Sequence, residues 1–328
     1  MQQWQPRQNK PRRYRHRHRP RRFRWGRLLA VLLGAVLVLF GLVKLIGYGG
    51  DWLAARNTSK DLQTVYYDAP TDEPVLFTEE TITVPTPDPT PRETVLPTQT
   101  PEPSHSPAPR LEAMDYPNNL NLQINSRFKA LRRESKDIIG WLNMDKLLDE
   151  PVVQRDDTFY LTHDAKGKEN VNGAIFLEAS IGLKTRPYTY ILYGHNMKTG
   201  AMFGSLRNYE NRNFYHTNPF ITFDTMYENG RYVIFAVGTV STEEGRRNYL
   251  DFYTLKSMDV AGRQKAIDAL LAASVHTCTI DVQPADQLLI LVTCVDEDEE
   301  RRIVAARRVR DGEDEKELKK LVEKSRKR

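Results

Sequence analysis

The chain has 328 residues, 40% of them hydrophobic and 28% charged, which allows two ordinary domains or one domain with long appendages. Its net charge of +5 is unevenly spread: residues 1–27 hold eleven Lys/Arg and no acid, so the remainder of the chain carries −6. A uniformly basic nucleic-acid binder is thereby excluded, and two cysteines exclude a disulfide scaffold and a four-cysteine zinc site.

Residues 28–48 read LLAVLLGAVLVLFGLVKLIGY, 21 residues with the single charge Lys44. At about 1.5 Å per residue a helix of that length covers roughly 30 Å, the hydrocarbon thickness of a bilayer. Lys44 sits near the far end, where its side chain can snorkel to the interface. The basic residues lie directly upstream, so the positive-inside rule places residues 1–27 in the cytoplasm and everything after residue 50 outside the cell. The competing reading, a cleaved signal peptide, fits less well. The apolar run is longer than a usual signal core, and no small-x-small site precedes Gly49-Gly50. Beside a span, the RHRHRPRRFR stretch reads as a topology and lipid-headgroup element, not as a nucleic-acid arm.

Residues 49–117 form the expected extracellular spacer. Eleven of the chain's 19 prolines fall in 70–109, mixed with Thr, Ser and Glu. Such a composition cannot bury a core and favours extended polyproline II, which gives reach.

From residue 118 the composition becomes globular. A helix is predicted over 119–135. Short β-type runs follow at 138–142, 151–153, 174–177, 189–193, 220–223, 232–240, 288–292 and 303–309, with turn residues such as Asn172-Gly173 and Asn229-Gly230 between them. One amphipathic helix is inserted at 257–273, with Ile267, Leu270 and Leu271 on its apolar face. This pattern predicts a mainly β fold, an eight-stranded closed or nearly closed barrel occupying 118–310. The tail 311–328 is charged in both signs and is predicted to be a solvated helix.

Cys294 ends the apolar run QLLILVTC, and His195 ends TYILYGHN, with Gly194 allowing close backbone approach. Strand-end residues at one rim can meet across a separation of 99 positions, and a rigidly held, accessible thiol suits acyl transfer. A lone strand-end cysteine is, by itself, more often a small buried hydrophobe.

The strings YGHNM (193–197), LVTC (291–294) and RRIVAARRV (301–309) resemble the three signature regions of sortases. IIGWLNM (138–144), PVVQRDDTFYLTHD (151–164), GAIFLE (173–178), MKTGAMFGSL (197–206) and the helix before the cysteine strand are similar to class B members. The resemblance covers 118–310 and implies a membrane-anchored cysteine transpeptidase of Gram-positive surfaces with a sortase-like barrel. It implies Cys294 as nucleophile and His195 as the histidine. For the arginine, Arg301 and Arg302 compete; Arg302 directly precedes Ile303-Val304 and is favoured. Val292 stands where class B enzymes often have Ser, so a substrate contact made by that Ser is not carried over to this chain.

The implied reaction cleaves a C-terminal sorting signal of a secreted protein through a thioester and transfers it to an amine of peptidoglycan or of a pilin lysine. It needs neither metal nor organic cofactor. Two alternatives stay open: a catalytically silent scaffold that reuses the barrel, and an endopeptidase with water as acceptor. The acidic run 296–300 reads as a solvated loop, although negative charge there would oppose thiolate formation. His163 and His216 read as loop or surface residues, and His276-x-Cys278 lacks a partner pair for metal binding. A Cys278–Cys294 disulfide would remove the nucleophile and is not expected.

Overall fold

The β-type runs close on themselves because each strand must pair both edges. In the computed structural model, which describes residues 25–70, 109–294 and 300–328, they form a barrel in the order β1-β2-β3-β4-β7-β8-β6-β5, and β5 pairs back onto β1. The strands are β1 (Ile138–Asn143), β2 (Asp149–Val153), β3 (Ile175–Leu177), β4 (Thr189–Tyr193), β5 (Phe220–Thr225), β6 (Arg231–Ser241), β7 (Leu288–Cys294) and β8 (Glu300–Arg308). Pairs β2–β3 and β4–β7 are parallel and the rest antiparallel. β7 lies between β4 and β8, and residues 288–293 are buried throughout, which is why its sequence is continuously apolar instead of alternating.

The helices depart from the sequence expectation in four places. Helix α1 (Trp25–Asp68) runs well past the apolar stretch. It is long and apolar enough to cross a membrane by length and composition, and its large apolar side chains from Leu32 to Tyr48 are exposed. The compact globular unit begins at residue 50, so 50–68 is not spacer. Leu62 and Tyr66 are buried in a cluster with Phe128, Leu131, Trp141 and Tyr160, and the Tyr66 ring stacks on Trp141 at 4.4 Å. Burial of two such side chains stabilises the docked helix by about 3–6 kcal/mol before its ordering cost. Residues 110–116 also lie against the barrel, where the buried Tyr116 hydroxyl donates to the Leu183 carbonyl. The proline-rich 71–108 and the basic residues 1–24 lie outside the described residues.

Helix α2 (Ser126–Glu134) starts later than 119, because the Asn119 side chain bonds the backbone of Gln123 in a local turn and Asn125 supplies the cap. The helix expected over 257–273 starts later, as α5 (Val260–Ala273) after extended Ser257 and the cap Asp259, and a short α4 (Phe252–Lys256) precedes it. α3 (Arg212–Thr217) and α6 (Glu315–Glu323) complete the set. The charged tail is not solvated all round: α6 buries Leu318 and Val322 against the barrel core.

Candidate active site

His195 and Cys294 stand at the ends of two neighbouring parallel strands. β4 pairs β7 with Tyr193 opposite Val292, and the Gly194 N–H continues the ladder to the Val292 carbonyl at 3.3 Å. His195 and Cys294 each lie two positions beyond the pair Tyr193–Val292. On the other side β7 pairs β8 with Cys294 opposite Arg301 and Thr293 opposite Arg302. Adjacent residues of a strand turn to opposite faces, so Arg301 and Arg302 face opposite ways.

The two arginines have different surroundings. Arg302 Nε donates to Glu210 Oε1 at 3.0 Å, at the end of the 3₁₀ stretch Phe203–Glu210. Arg301 lies close enough to Tyr193 for its charge to act on that phenol. Burial pushes the Tyr193 hydroxyl up, the Glu178 carboxylate adds to the rise, and Arg301 opposes it. The register pairs Cys294 with Arg301, whereas the sequence expectation preferred Arg302 from its place before Ile303-Val304. Spacing along one strand cannot say which of two adjacent residues faces the cysteine, because the face alternates at each step.

His195 is partly exposed and held from two sides. Its Nε2 lies 2.7 Å from the Leu161 carbonyl, and its own carbonyl accepts the Phe203 N–H at 3.0 Å. A carbonyl only accepts, so Nε2 carries the proton and Nδ1 is left for chemistry. The Phe203 ring packs on Gly194 so closely that a Cβ there would sit 2.9 Å from it, which accounts for the glycine before the histidine.

Below the site, Glu178 collects Lys256, the Ser180 hydroxyl at 2.7 Å and the Tyr193 hydroxyl at 3.3 Å. Neither this cluster nor the Leu161 carbonyl was legible in the sequence. A main-chain acceptor leaves no residue-type signal, and Glu178 looks like any strand-end carboxylate.

The other candidates lie elsewhere. His276 is buried, stacks on Tyr215 and shares Nε2 with the Tyr209 carbonyl at 2.7 Å; burial lowers its pKa. The Cys278 thiol is free and donates to the Ile280 carbonyl, and burial pushes its pKa up. His163 stacks on Phe159, and His216 meets the Ser325 hydroxyl. Of the acidic run, residues 296–299 lie outside the described residues, and Glu300 opens β8.

Comparison with known proteins agrees with this architecture. A sortase domain model matches residues 144–309, half of the chain. Sortase B of Listeria monocytogenes is 29% identical over 180 residues, covering 54% of this chain and 70% of that protein. The crystal structure of sortase B from Bacillus anthracis superimposes with a TM-score of 0.57 at 23% identity, covering 79% of this chain and 98% of that one. A Staphylococcus aureus sortase B–substrate complex gives 0.52 at 26% identity, over 58% and 88%. With the barrel, the inserted helices and the strand-end arrangement in place, the chain belongs to the sortase family, class B, and is a sortase-type cysteine transpeptidase.

Proposed function

We propose that this transpeptidase cleaves a C-terminal sorting signal of a secreted protein and joins the new carboxyl terminus to an amine of peptidoglycan or of a pilin lysine, with Cys294, His195 and Arg301 as the reacting set. The observation that supports the assignment is the strand register, which pairs position 294 with 301 and pairs Tyr193, two residues before His195, with Val292, two residues before Cys294. Cys294 attacks the scissile carbonyl as a thiolate. The amide C–N bond breaks, and the leaving amine takes a proton from the imidazolium at Nδ1. The acceptor amine then returns a proton to Nδ1, attacks the thioester carbon and expels the thiolate. The Arg301 guanidinium hydrogen-bonds the oxyanion formed at each step or holds the peptide backbone beside it.

α1 supports a single membrane anchor, and the basic residues 1–27 support a cytoplasmic N-terminus with the barrel outside. The test uses the detergent-solubilised chain, a fluorogenic pentapeptide library and glycine peptides as amine. Cys294→Ala should abolish cleavage. Arg301→Ala should lower kcat/KM by about 100-fold or more, as for loss of an oxyanion donor. Arg302→Ala should cost far less. The reverse order of the two arginines would return the role to Arg302, and hydrolysis without ligated product would replace the amine by water.

A further inference from the structure

Residues 51–67 are separated from the barrel sequence by a long proline-rich stretch, yet they contact the loop that packs against the Leu161 carbonyl bonded to His195. The loop 164–173 is built on two buried polar side chains, Asp164 and Asn170. Asp164 Oδ1 accepts the N–H groups of Lys166 and Lys168, each at 3.0 Å. Asn170 Oδ1 accepts from the Asn172 N–H at 2.9 Å and from its side-chain amide at 3.0 Å. Their remaining groups are satisfied from helix α1. Thr58 Oγ1 donates to Asp164 Oδ2 at 3.1 Å, and Asn170 Nδ2 donates to the Asp51 carbonyl at 2.9 Å. Ala55, Thr58 and Ser59 line one small cavity together with Gly173, Ala174 and Met202.

The loop in turn fixes the acceptor of His195. The Asn170 N–H bonds the Thr162 carbonyl at 2.8 Å and the Ala174 N–H bonds the Tyr160 carbonyl at 2.9 Å, so Leu161 is clamped on both sides. Gly173 has φ +62°, and a Cβ there would lie 2.5 Å from the Tyr160 oxygen, 3.0 Å from the Leu161 oxygen and 3.1 Å from His195 Cδ2. Loop, carbonyl and imidazole are thus packed with no slack.

We propose that helix residues 51–67 position His195, acting through the loop 164–173 and the Leu161 carbonyl, so that docking of this helix sets the tautomer and aim of the catalytic imidazole. Thr58 is the positioning residue within it. A buried hydrogen-bonded chain transmits displacement because the interior has no room to absorb it. A misplacement of about 1 Å at a general acid–base costs up to about 100-fold in rate. The inference rests on the assignment of His195 to proton transfer.

The test compares Thr58→Val, Thr58→Ser and Tyr67→Phe in the full chain, assayed with a peptide selected from the library above. Tyr67 belongs to the same helix, but its hydroxyl donates to Asp149, away from the loop. Thr58→Val should lower kcat about tenfold with KM unchanged. Its ¹⁵N spectrum should show His195 losing the pure Nε2–H form. Thr58→Ser, which keeps the hydroxyl, should restore both readouts, and Tyr67→Phe should change neither. If Thr58→Val retains wild-type kcat and tautomer, or if Tyr67→Phe lowers kcat equally, the inference is overturned. Full turnover in His195→Ala would instead sink the catalytic assignment, a result the tautomer spectrum does not depend on.

Discussion

Docking of α1 brings a carboxyl group into an unfavourable place, and the consequence is measurable. Glu150 on β2 is half-buried under the helix, where its carboxyl accepts the Ser59 hydroxyl at 2.6 Å. Burial pushes its pKa from the ordinary 4.5 up to about 7, against the lowering effect of the Ser59 bond. The folded state therefore holds this proton more tightly than the unfolded chain. Between those two values the folded state binds more protons, so stability falls as pH rises, the reverse of the usual carboxylate. At about 1.4 kcal/mol per pKa unit the full span is about 3 kcal/mol, and the remaining solvent contact reduces it to about 2. The perturbation is Glu150→Gln, which keeps the shape and cannot ionise. Denaturant unfolding of the detergent-solubilised chain, followed by tryptophan fluorescence, is run for both proteins at pH 5 and pH 8. The variant should match the wild type within about 0.5 kcal/mol at pH 5 and exceed it by about 2 kcal/mol at pH 8. Comparing the difference between proteins at each pH cancels the other titrating groups. An unchanged difference at the two pH values would refute the reasoning, because Glu150 would then ionise alike in both states.

Two further substitutions probe how the helices are held. Tyr66→Phe removes the hydroxyl that donates to Asp224 Oδ2 at 2.6 Å and leaves a buried carboxylate one partner short; a loss of about 1–3 kcal/mol is expected in denaturant unfolding. Arg263 on α5 is fully buried, with its guanidinium bonded to the carbonyls of Pro284, Leu255 and Asp286 and to the Thr189 hydroxyl, and burial lowers its pKa to about 10. Arg263→Ala should cost about 3–5 kcal/mol by stranding those acceptors, and a loss under 1 kcal/mol would mean that water replaces the guanidinium there.

Much of the barrel could be read directly. Runs such as 232–240 and 288–292 have strand length, β-branched content and turn residues at their ends, and β6 and β7 occupy those places with ends moved by one or two residues. The amphipathic insertion was legible as helix, but Arg263 was not legible as a buried residue. Its charge is satisfied by main-chain carbonyls from segments remote in sequence.

The sequence by itself determined the apolar run that becomes half of α1, the strand pattern, the family motifs, and the thiol and imidazole at two strand ends. Each of these is a local property of residue type and period. The tertiary structure decided what depends on pairing. It joined residues 51–67 to the globular unit across a proline-rich interval, put Leu161 under His195, and set Arg301 instead of Arg302 opposite Cys294. The physical reason is that a strand turns its side chains to alternate faces. Only the register against a neighbouring strand fixes which of two adjacent arginines stands opposite the cysteine.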